Sequence, residues 1–490
     1  MAAESFDVIV VGAGFGGAAC AGLLAKRGAK VLLLEKNAKA GGKAMAFSKS
    51  GFVYTPWVVI TAPVQDNAFE RVLKELEMED RVELVTPDPS GGAIFKNAQG
   101  KYVPMPPMPS DSPDPNLLFD WLEVPEEQRA AAIAAMAEIT LMAPEKIDEY
   151  DDISFAEFLT RYGLPEPVYG YLVGSIHDAC FVCPADVVAA SEAIRVLQMI
   201  FLRSGGLFAK GGIGRVAETY AAAVEENGGK YVTKARVQKI LVENGAVTGV
   251  ATDEGTFLAP IVVSNVGIQP TVLKLVGEEH FDERYVAYVR ALVPSWGLPG
   301  VRYFLDEKVI QQPFGTIFST ESYWTVEKFD RAAGGQMPED IAVLYEVPSN
   351  YDENAAPEGK QIVLASVWGP ADGQATDEQM EPWWQKCDEI MFRVFPELPE
   401  HIERREPYSV RDVSRLTRDR VLPNQGGECI GLGQVVGQGG QKKPSVSAPL
   451  RGLFFAGCDA GGYGVGTQQA TESGLKVADA VGKYHAAGGS

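Results

Sequence analysis

Three glycines near the start of the chain have the spacing of a phosphate-binding turn. The apolar run Phe6–Val11 leads directly into Gly12, Gly14 and Gly17 of a Gly-x-Gly-x-x-Gly pattern, and a helix is predicted over Ala18–Lys26. In such a turn the first glycine permits the tight bend, the second lets a pyrophosphate approach the backbone, and the third lets helix and strand pack closely. The N–H groups and the positive dipole end of the helix favour phosphate.

An acidic residue closes the next apolar run. Val31–Leu34 predicts a second buried strand, and Glu35 follows it, 18 residues after Gly17. A carboxylate at this position can accept hydrogen bonds from both ribose hydroxyls, and its charge repels a 2′-phosphate. Strand, glycine turn, helix, strand and acid in this order therefore predict a dinucleotide-binding unit.

A second glycine segment indicates which dinucleotide is bound. The chain continues from Glu35 through Lys36 to Gly41, Gly42 and Lys43. The glycine pair exposes backbone N–H groups, and the cation can offset the charge of a pyrophosphate. The segment resembles the second phosphate-contacting segment of FAD enzymes built like glutathione reductase and the amine oxidases. We therefore expect FAD as the cofactor, with a flexible basic loop as the alternative interpretation.

The far end of the chain supplies a third segment of this kind. Gly452–Asp459 predicts a buried strand that ends in a turn of small residues with an acid, and the glycine-rich loop Gly461–Thr467 opens a helix over Gln468–Tyr484. In the same superfamily the matching segment places an Asp near the ribityl and phosphate groups, and the helix dipole faces the flavin pyrimidine ring. We expect the two ends of the sequence to meet in one FAD-binding domain.

Composition limits the classes of protein and partner. At 490 residues the chain is long enough for two domains, and 46% hydrophobic with 22% charged residues is typical of a globular protein. The formal net charge of −21 argues against nucleic acid as a partner and against electrostatic attachment to an anionic bilayer.

The sequence also carries expectations about location. No apolar run approaches the length of a membrane-spanning helix, and the first strand begins too early to leave room for a signal peptide. Six cysteines do not make a disulfide scaffold in a chain of this length, which favours a reducing cytoplasm. Peripheral membrane contact is compatible with the sequence. The sequence does not indicate the oligomeric state.

The middle of the chain returns to the character of a nucleotide-binding domain. The segment Gly211–Glu218 is predicted to start a helix that runs to about Asn227, and strand patterns that include Val237 follow it. Asn244–Gly245 is a strong signal for a hairpin turn. The later strand pattern ends in Val-Val-Ser-Asn at Asn265. These short strands predict a small sheet laid over the FAD-binding domain.

Taken in order, these motifs resemble the phytoene desaturase and carotene isomerase group of flavoproteins, with retinol saturase as a further relative. The resemblance covers roughly the first 60 and last 70 residues together with 205–276, where the segment Gly212–Asn265 is the most diagnostic. It implies an oxidoreductase that uses FAD. The positions that it places at the cofactor, together with neighbours in the same segments, are Gly12, Gly14, Phe15, Gly16, Gly17, Glu35, Lys36, Gly41, Gly42, Lys43, Val237, Gly457, Asp459, Gly464 and Val465.

The predicted fold class is α/β, with a Rossmann-like, three-layer FAD-binding domain that combines a parallel sheet with a small antiparallel sheet. Residues 1–85, 205–290 and 425–490 are assigned to this discontinuous domain. Residues 86–204 and 291–424 are assigned to a discontinuous α+β substrate-binding domain.

The sequence departs from the resemblance beside the expected flavin. Relatives usually carry a Phe-Asp-x-Gly-Pro type stretch, whereas this chain has Phe52–Trp57, in which Tyr, Thr and Trp appear instead. This puts a polyene substrate in doubt and indicates a smaller ligand with an oxygen that Tyr54 could hydrogen-bond. Tyr54, Tyr463 and His177 are the candidate catalytic residues.

Aromatic and thiol residues supply further candidates. Trp57, Trp296 and Trp324 are predicted to contact substrate. Cys180 and Cys183 have the spacing of a redox pair, but buried thiols are the favoured interpretation, and no metal site is predicted because a second cysteine pair is missing. Four arginines within 411–420 could clamp a substrate carboxylate, but a solvated, ion-paired surface is favoured.

Three functions remain open. The first is an FAD-dependent oxidoreductase that desaturates, saturates or isomerises a carbon–carbon bond of a small apolar or cyclic substrate, which can carry a ketone, with hydride passing to flavin N5. The second is an amine oxidase, and the third is a non-enzymatic binder like the GDP-dissociation inhibitors of Rab GTPases. No second dinucleotide fingerprint appears, so oxygen, a quinone or another carrier is the expected electron acceptor.

Overall fold

The computed structural model describes residues 4–62, 67–87, 92–107, 115–202 and 206–486 of the chain. The strands are β1 (Val8–Val11), β2 (Val31–Leu34), β3 (Phe47–Lys49), β4 (Phe52–Tyr54), β5 (Leu84–Val85), β6 (Gly92–Lys96), β7 (Tyr102–Pro104), β8 (Phe208–Ala209), β9 (Lys230–Val232), β10 (Val237–Glu243), β11 (Ala246–Thr252), β12 (Gly255–Leu258), β13 (Ile261–Ser264), β14 (Gly300–Leu305), β15 (Phe314–Ser319), β16 (Val343–Glu346), β17 (Gln361–Ser366), β18 (Ile402–Tyr408) and β19 (Leu453–Phe455).

The α-helices are α1 (Phe15–Lys26), α2 (Ala68–Leu76), α3 (Pro115–Trp121), α4 (Arg129–Leu141), α5 (Pro144–Ile147), α6 (Phe155–Thr160), α7 (Glu166–Gly170), α8 (Asp178–Phe181), α9 (Ala190–Leu202), α10 (Gly214–Glu226), α11 (Ile268–Pro270), α12 (Glu283–Ala291), α13 (Val326–Ala333), α14 (Asp377–Val394), α15 (Val410–Leu416) and α16 (Gly466–Ala486). Two π-helices, Tyr171–His177 and Thr271–Val276, continue directly from α7 and α11.

A five-stranded parallel sheet forms the centre of the predicted cofactor domain. Its strand order is β19-β13-β1-β2-β9, and Val8 pairs with Ile261 on one side and with Val31 on the other. All four residues of β1 are buried, which is why its sequence is a continuous apolar run. The order of strands brings β1 and β19, from opposite ends of the sequence, into the same sheet.

The two faces of this sheet are covered by different layers. Val8 and Val10 of β1 pack in a core with residues of α1, α2, α10 and α16, whereas Ile9 and Val11 pack in a second core with residues of the antiparallel sheet β10-β11-β12. Side chains of a strand alternate between its faces, so each apolar residue of β1 belongs to one core or the other. The predicted three-layer α/β architecture is confirmed.

The second large sheet has seven strands in the order β18-β14-β17-β16-β15-β6-β7. Its neighbouring strands are antiparallel except for β15 and β6. Helix α14 packs against β14, β16 and β17, and the π-helix Tyr171–His177 packs against β15. This mixed sheet, with its helices, is the α+β unit expected for substrate binding.

The strands of the two large sheets come from different parts of the sequence. Those of the parallel sheet fall within 1–85, 205–290 and 425–490, and those of the seven-stranded sheet fall within 86–204 and 291–424. The exact domain boundaries stay a prediction. The predicted hairpin turn joins β10 to β11, with Asn244 and Gly245 at φ values of 52° and 73°.

Candidate active site

A cavity of about 440 Å³ lies between the parallel sheet and the seven-stranded sheet. We call one part of its lining the nucleotide half, which consists of Gly12, Gly14, Phe15, Glu35, Lys36, Asn37, Gly41, Gly42, Lys43, Arg236, Val237, Asn265, Arg418, Asp419, Gly457 and Asp459. We call the other part the apolar chamber, which consists of Trp57, Val58, Val59, Ile60, Ala93, Met105, Tyr171, Ser175, Ile176, Ala179, Cys180, Val182, Val196, Met199, Ile200, Leu298, Phe314, Thr316, Leu344 and Ile430.

The glycine turn places the start of α1 at the nucleotide half. A Cβ atom on Gly17 would lie 2.1 Å from the carbonyl oxygen of Gly12, so only glycine lets the helix sit this close to the end of β1. The helix begins at Phe15, three residues before the predicted Ala18. Because the first N–H groups of an α-helix have no intrahelical partner, this end is suited to bind phosphate.

Glu35 lies at the end of β2 with its carboxylate held in place. One oxygen accepts a hydrogen bond from the backbone N–H of Ala13 at 2.8 Å, and the other accepts from the backbone N–H and side-chain Nδ2 of Asn37, each at 2.8 Å. Burial raises the pKa of Glu35, although these donors act in the opposite direction. A carboxylate offers about four acceptor sites, so one remains for a ribose hydroxyl in the cavity.

The second glycine segment lies directly against the first. A Cβ on Gly42 would be 3.1 Å from the Cα of Gly14, and Gly42 has a φ of 56°. The two backbones together form a narrow cradle that side chains would fill. Lys43 lines the same part of the cavity, where its Nζ donates to the carbonyl oxygen of Glu428 at 2.5 Å.

The segment after β19 contributes a buried ion pair. Arg418 donates to both oxygens of Asp459 at 3.0 and 2.8 Å, and the backbone N–H groups of Ile268 and Leu432 donate to the same carboxylate. Burial opposes ionisation of Asp459, but the charge and hydrogen bonds of Arg418 hold its pKa below the usual range. Arg418 also pairs with the buried Glu428 at 2.7 Å.

The apolar chamber carries none of this charge. Among the residues that we assigned to it, the polar groups are the hydroxyls of Tyr171, Ser175 and Thr316, the thiol of Cys180 and the indole of Trp57. Burial raises the pKa of both Tyr171 and Cys180 to about 12. The chamber therefore stays uncharged at neutral pH and is suited to an apolar molecule.

Comparison with known proteins decides the cofactor. The sequence pattern of the flavin containing amine oxidoreductases matches residues 15–482. The chain belongs to this family. It is therefore an FAD-dependent oxidoreductase. Homology to a retinol saturase, carotenoid desaturases and prolycopene isomerases is distant.

Two curated relatives and one solved structure show the extent of the similarity. The chain is 26% identical to a human all-trans-retinol 13,14-reductase, over 91% of this chain and 80% of that protein. It is 23% identical to a 4,4'-diapophytoene desaturase from Methylomonas sp, over 81% and 78% of the two chains. The crystal structure of an oxidoreductase from Methanosarcina mazei has the same fold, with a TM-score of 0.71 at 18% identity over 96% and 100% of the chains.

The flavoprotein cradle is consistent with the chemistry that FAD requires. Glu35 offers an acceptor where a ribose would lie, and the start of α1, the glycine cradle and Lys43 offer N–H groups and positive charge for a pyrophosphate. Val465 and Gly466 line the cavity where α16 begins, so a second positive helix end meets it. The residues present therefore fit FAD.

Most of the residues predicted to bind the cofactor line this cavity. They are Gly12, Gly14, Phe15, Glu35, Lys36, Gly41, Gly42, Lys43, Val237, Gly457, Asp459 and Val465. Three others do not line it. Gly16 packs against Gly457 and α16, Gly17 packs against the turn, and Gly464 accepts a hydrogen bond from Gln434 through its carbonyl oxygen.

The three residues predicted to be catalytic lie outside the cavity lining. Tyr54 packs edge-on against Phe304 with ring centroids 5.5 Å apart and faces a separate, much smaller pocket. His177 is fully buried, with its Nδ1 3.1 Å from an oxygen of Asp178. Tyr463 is 39% exposed at the surface. The structure therefore does not bring these three side chains to the chamber.

The predicted substrate residues separate in the same way. Trp57 lines the chamber, whereas Trp296 stacks on Phe329 with ring centroids 3.6 Å apart and lies edge-on to Trp324. This aromatic cluster belongs to the core of the seven-stranded sheet. Because these rings bury a large apolar area, packing of the core explains their presence without a ligand.

Two residues of the nucleotide half were missed or misassigned from sequence. Asn265 follows β13, and its Nδ2 donates to the carbonyl oxygen of Gly12 at 3.2 Å. The arginines within 411–420 were predicted to form a solvated, ion-paired surface. Arg418 is ion-paired, with Asp459, but it is only 6% exposed, so the prediction of a solvated position is wrong for this residue. A signal for Asn265 did exist, since ligands bind at the carboxyl ends of parallel strands.

Proposed function

We propose that the protein oxidises or reduces a carbon–carbon bond of an apolar or cyclic substrate held in the apolar chamber. The observation that carries this proposal is the continuity of one cavity between the charged nucleotide half and a chamber without charged side chains. A ligand in the chamber would lie next to the ring system of a cofactor held in the cradle. The similarity to a 13,14-reductase and to a desaturase supports chemistry at carbon–carbon bonds.

The roles of the chain's residues follow from this arrangement. Bound FAD supplies a hydride acceptor or, when reduced, a hydride donor. The cradle around Gly14, Gly42 and Glu35 fixes the cofactor, and the apolar walls orient the substrate and exclude water. Because burial raises the pKa of the Cys180 thiol and of the Tyr171 phenol to about 12, both stay protonated at neutral pH and neither accepts a proton. This supports a conjugated substrate whose reacting bond needs little help from a side-chain base.

The chamber is less suited to amine oxidation. An ammonium group removed from water needs a carboxylate partner or an aromatic cage. Among the chamber residues no acidic side chain is present, and its aromatic members are Trp57, Tyr171 and Phe314. A non-enzymatic role is disfavoured because a complete FAD cradle would have no use in it.

An anaerobic titration of the flavin-loaded protein tests the proposal. The visible absorption of oxidised flavin is followed while conjugated ketones, polyenes and primary amines are added separately. The dithionite-reduced protein is then titrated with the same polyenes and enones. Bleaching by an apolar compound, or reoxidation of reduced flavin by one, is the expected result. Bleaching by amines alone would replace the proposal with amine oxidation.

A further inference from the structure

The π-helix Tyr171–His177 contributes two residues with hydroxyl groups to the lining of the apolar chamber. Tyr171 and Ser175 both line the cavity, and they are four residues apart. A π-helix closes its hydrogen bonds between residues five apart and has between four and five residues per turn. Side chains four residues apart therefore project from nearly the same face. Single π-helical turns are rare and occur often at functional sites.

Close packing fixes the position of this π-helix. A Cβ on Gly170, the residue just before it, would lie 2.9 Å from the carbonyl oxygen of Ser319 at the end of β15. The ring of Tyr171 is held between Trp121, edge-on at 5.9 Å between centroids, and Phe318, tilted at 5.9 Å. These aromatic contacts hold the ring in place, so the hydroxyl is not needed to position it and is available to bind a ligand.

The two hydroxyls have no protein partner. Within the described part of the chain, neither the phenol of Tyr171 nor the hydroxyl of Ser175 makes a hydrogen bond to another residue. Each hydroxyl oxygen keeps some accessible surface, since neither is among the fully buried, unpartnered side-chain atoms in the described part of the chain. Both residues line the cavity, so a ligand there can offer the hydrogen bonds that the protein does not supply. The phenol, with its pKa of about 12, remains protonated and can donate.

We propose that Tyr171 and Ser175 bind a single oxygen atom of the substrate, so that the substrate class is an apolar, conjugated molecule with one carbonyl or hydroxyl group. The inference rests on the proposed function and makes it more specific. The rest of the chamber then contacts the hydrocarbon part. Such a site rejects the analogue that lacks the oxygen, because binding that analogue leaves two hydroxyls without partners. The sequence suggested that Tyr54 hydrogen-bonds an oxygen of the ligand, and this proposal assigns that role to Tyr171 instead.

Equilibrium binding of two probes to the flavin-loaded protein tests this proposal. The probes are β-ionone, a cyclic conjugated ketone, and the hydrocarbon of the same skeleton without the oxygen. Binding is measured by equilibrium dialysis and by the change in the flavin spectrum. The Tyr171→Phe and Ser175→Ala substitutions are each expected to weaken β-ionone binding by about tenfold, whereas binding of the hydrocarbon stays the same or becomes stronger.

A matched variant separates this role from a structural one. Tyr169→Phe removes a phenolic oxygen from the preceding helix, where the ring packs against Tyr323 outside the chamber, and should leave both probes unchanged. Tyr171→Phe should not lower the thermal unfolding midpoint, because the hydroxyl has no protein partner to lose. Equal effects of Tyr171→Phe on both probes, or no effect on either, would overturn the proposal.

The two proposals fail in different ways. If β-ionone binding depends on Tyr171 but no apolar compound exchanges electrons with the flavin, the oxygen site stands and the proposed reaction falls. If hydrocarbons without oxygen reduce or reoxidise the flavin as well as ketones do, and Tyr171→Phe changes nothing, the reaction stands and the oxygen site falls.

Discussion

The nucleotide half and the apolar chamber share one cavity but satisfy their polar groups in opposite ways. In the nucleotide half, both oxygens of Glu35 and of Asp459 already accept hydrogen bonds from the protein. In the chamber, the hydroxyls of Tyr171 and Ser175 have no hydrogen-bond partner in the described part of the chain. The nucleotide half is thus built as a rigid socket for a fixed ligand, whereas the chamber is proposed to select its ligand by shape, apolar area and a few hydrogen bonds.

This contrast explains why the sequence predicts the cofactor but not the substrate. A socket built from glycines and one acid needs particular residue types at fixed spacing. A chamber built from Val, Ile, Met and Ala can be assembled from many sequences, because apolar residues of similar volume substitute for one another. The sequence therefore predicts FAD and an oxidoreductase, but it does not identify the substrate.

The largest effect is expected from adding one methyl group to the socket. Gly17→Ala would place a Cβ 2.1 Å from the carbonyl oxygen of Gly12, so α1 must move away from β1. We expect a loss of about 3 kcal/mol or more in the free energy of unfolding and a protein that no longer retains FAD. Thermal unfolding and the flavin content of the purified protein measure these effects.

A second glycine serves as the control for that substitution. Gly482 lies within α16, and a Cβ there would meet no atom within 4 Å. Gly482→Ala should keep FAD and raise stability by up to about 1 kcal/mol, since alanine favours the helix. If Gly17→Ala behaved like Gly482→Ala, the idea of a rigid socket would be wrong.

A buried carboxylate behind the chamber wall predicts a pH effect on stability. Glu346 accepts hydrogen bonds from the backbone N–H of Val59, in the wall, and from the hydroxyl of Tyr351. Burial raises its pKa from 4.5 to about 7 despite these bonds. Its contribution to stability is thus complete below pH 4.5 and is lost as the pH rises through about 7, a change of about 3 kcal/mol.

Glu346→Gln removes this titration. Denaturant unfolding between pH 4.5 and 8 should show the variant gaining stability over the natural protein as the pH rises, by about 3 kcal/mol across the range. Tyr351→Phe removes a hydrogen bond that stabilises the ionised form, so the pKa of Glu346 should rise further and the total loss of stability up to pH 8 should be larger than in the natural protein. Parallel curves for all three proteins would show that Glu346 is not the titrating group.

A smaller effect is expected from filling the chamber. Ala179→Leu adds three carbon atoms to the wall contributed by α8, and should weaken β-ionone binding by about tenfold through lost space. FAD content should not change, because the socket uses other residues. A variant that lost FAD and β-ionone together would indicate that the two halves are not separate in function.

The smallest effect is expected at Tyr54. Its ring packs against Phe304 and its side chain faces a separate pocket, so Tyr54→Phe should leave β-ionone binding and flavin reduction unchanged. The measurement is the same titration used for Tyr171→Phe. A loss of binding in Tyr54→Phe alone would show that Tyr54, as the sequence suggested, binds the substrate oxygen and that Tyr171 does not.

Local signals account for the successful part of the sequence analysis. The glycine turn, Glu35 and the Asn244–Gly245 hairpin are each encoded within a few neighbouring residues. The strand β19 could be placed because its apolar run precedes a glycine-rich loop. These short patterns determine the parallel sheet and the cofactor.

Long-range packing accounts for the part that the sequence did not reveal. Arg418 looks like its exposed neighbours in the arginine-rich stretch, and only the folded chain shows it buried against Asp459. Tyr171 was not singled out, because a π-helix has no simple sequence period and its face is set by contacts with β15. Which aromatic side chains line a chamber depends on how distant segments meet.

The order of strands in the parallel sheet has a consequence for biosynthesis. Within this unit β1 and α1 are synthesised first, whereas β19 and α16, which complete the sheet and flank the glycine turn, follow more than 400 residues later. Domains fold as units during synthesis, so this unit stays incomplete until its final strand emerges. Stable binding of FAD therefore requires that the chain be synthesised through α16.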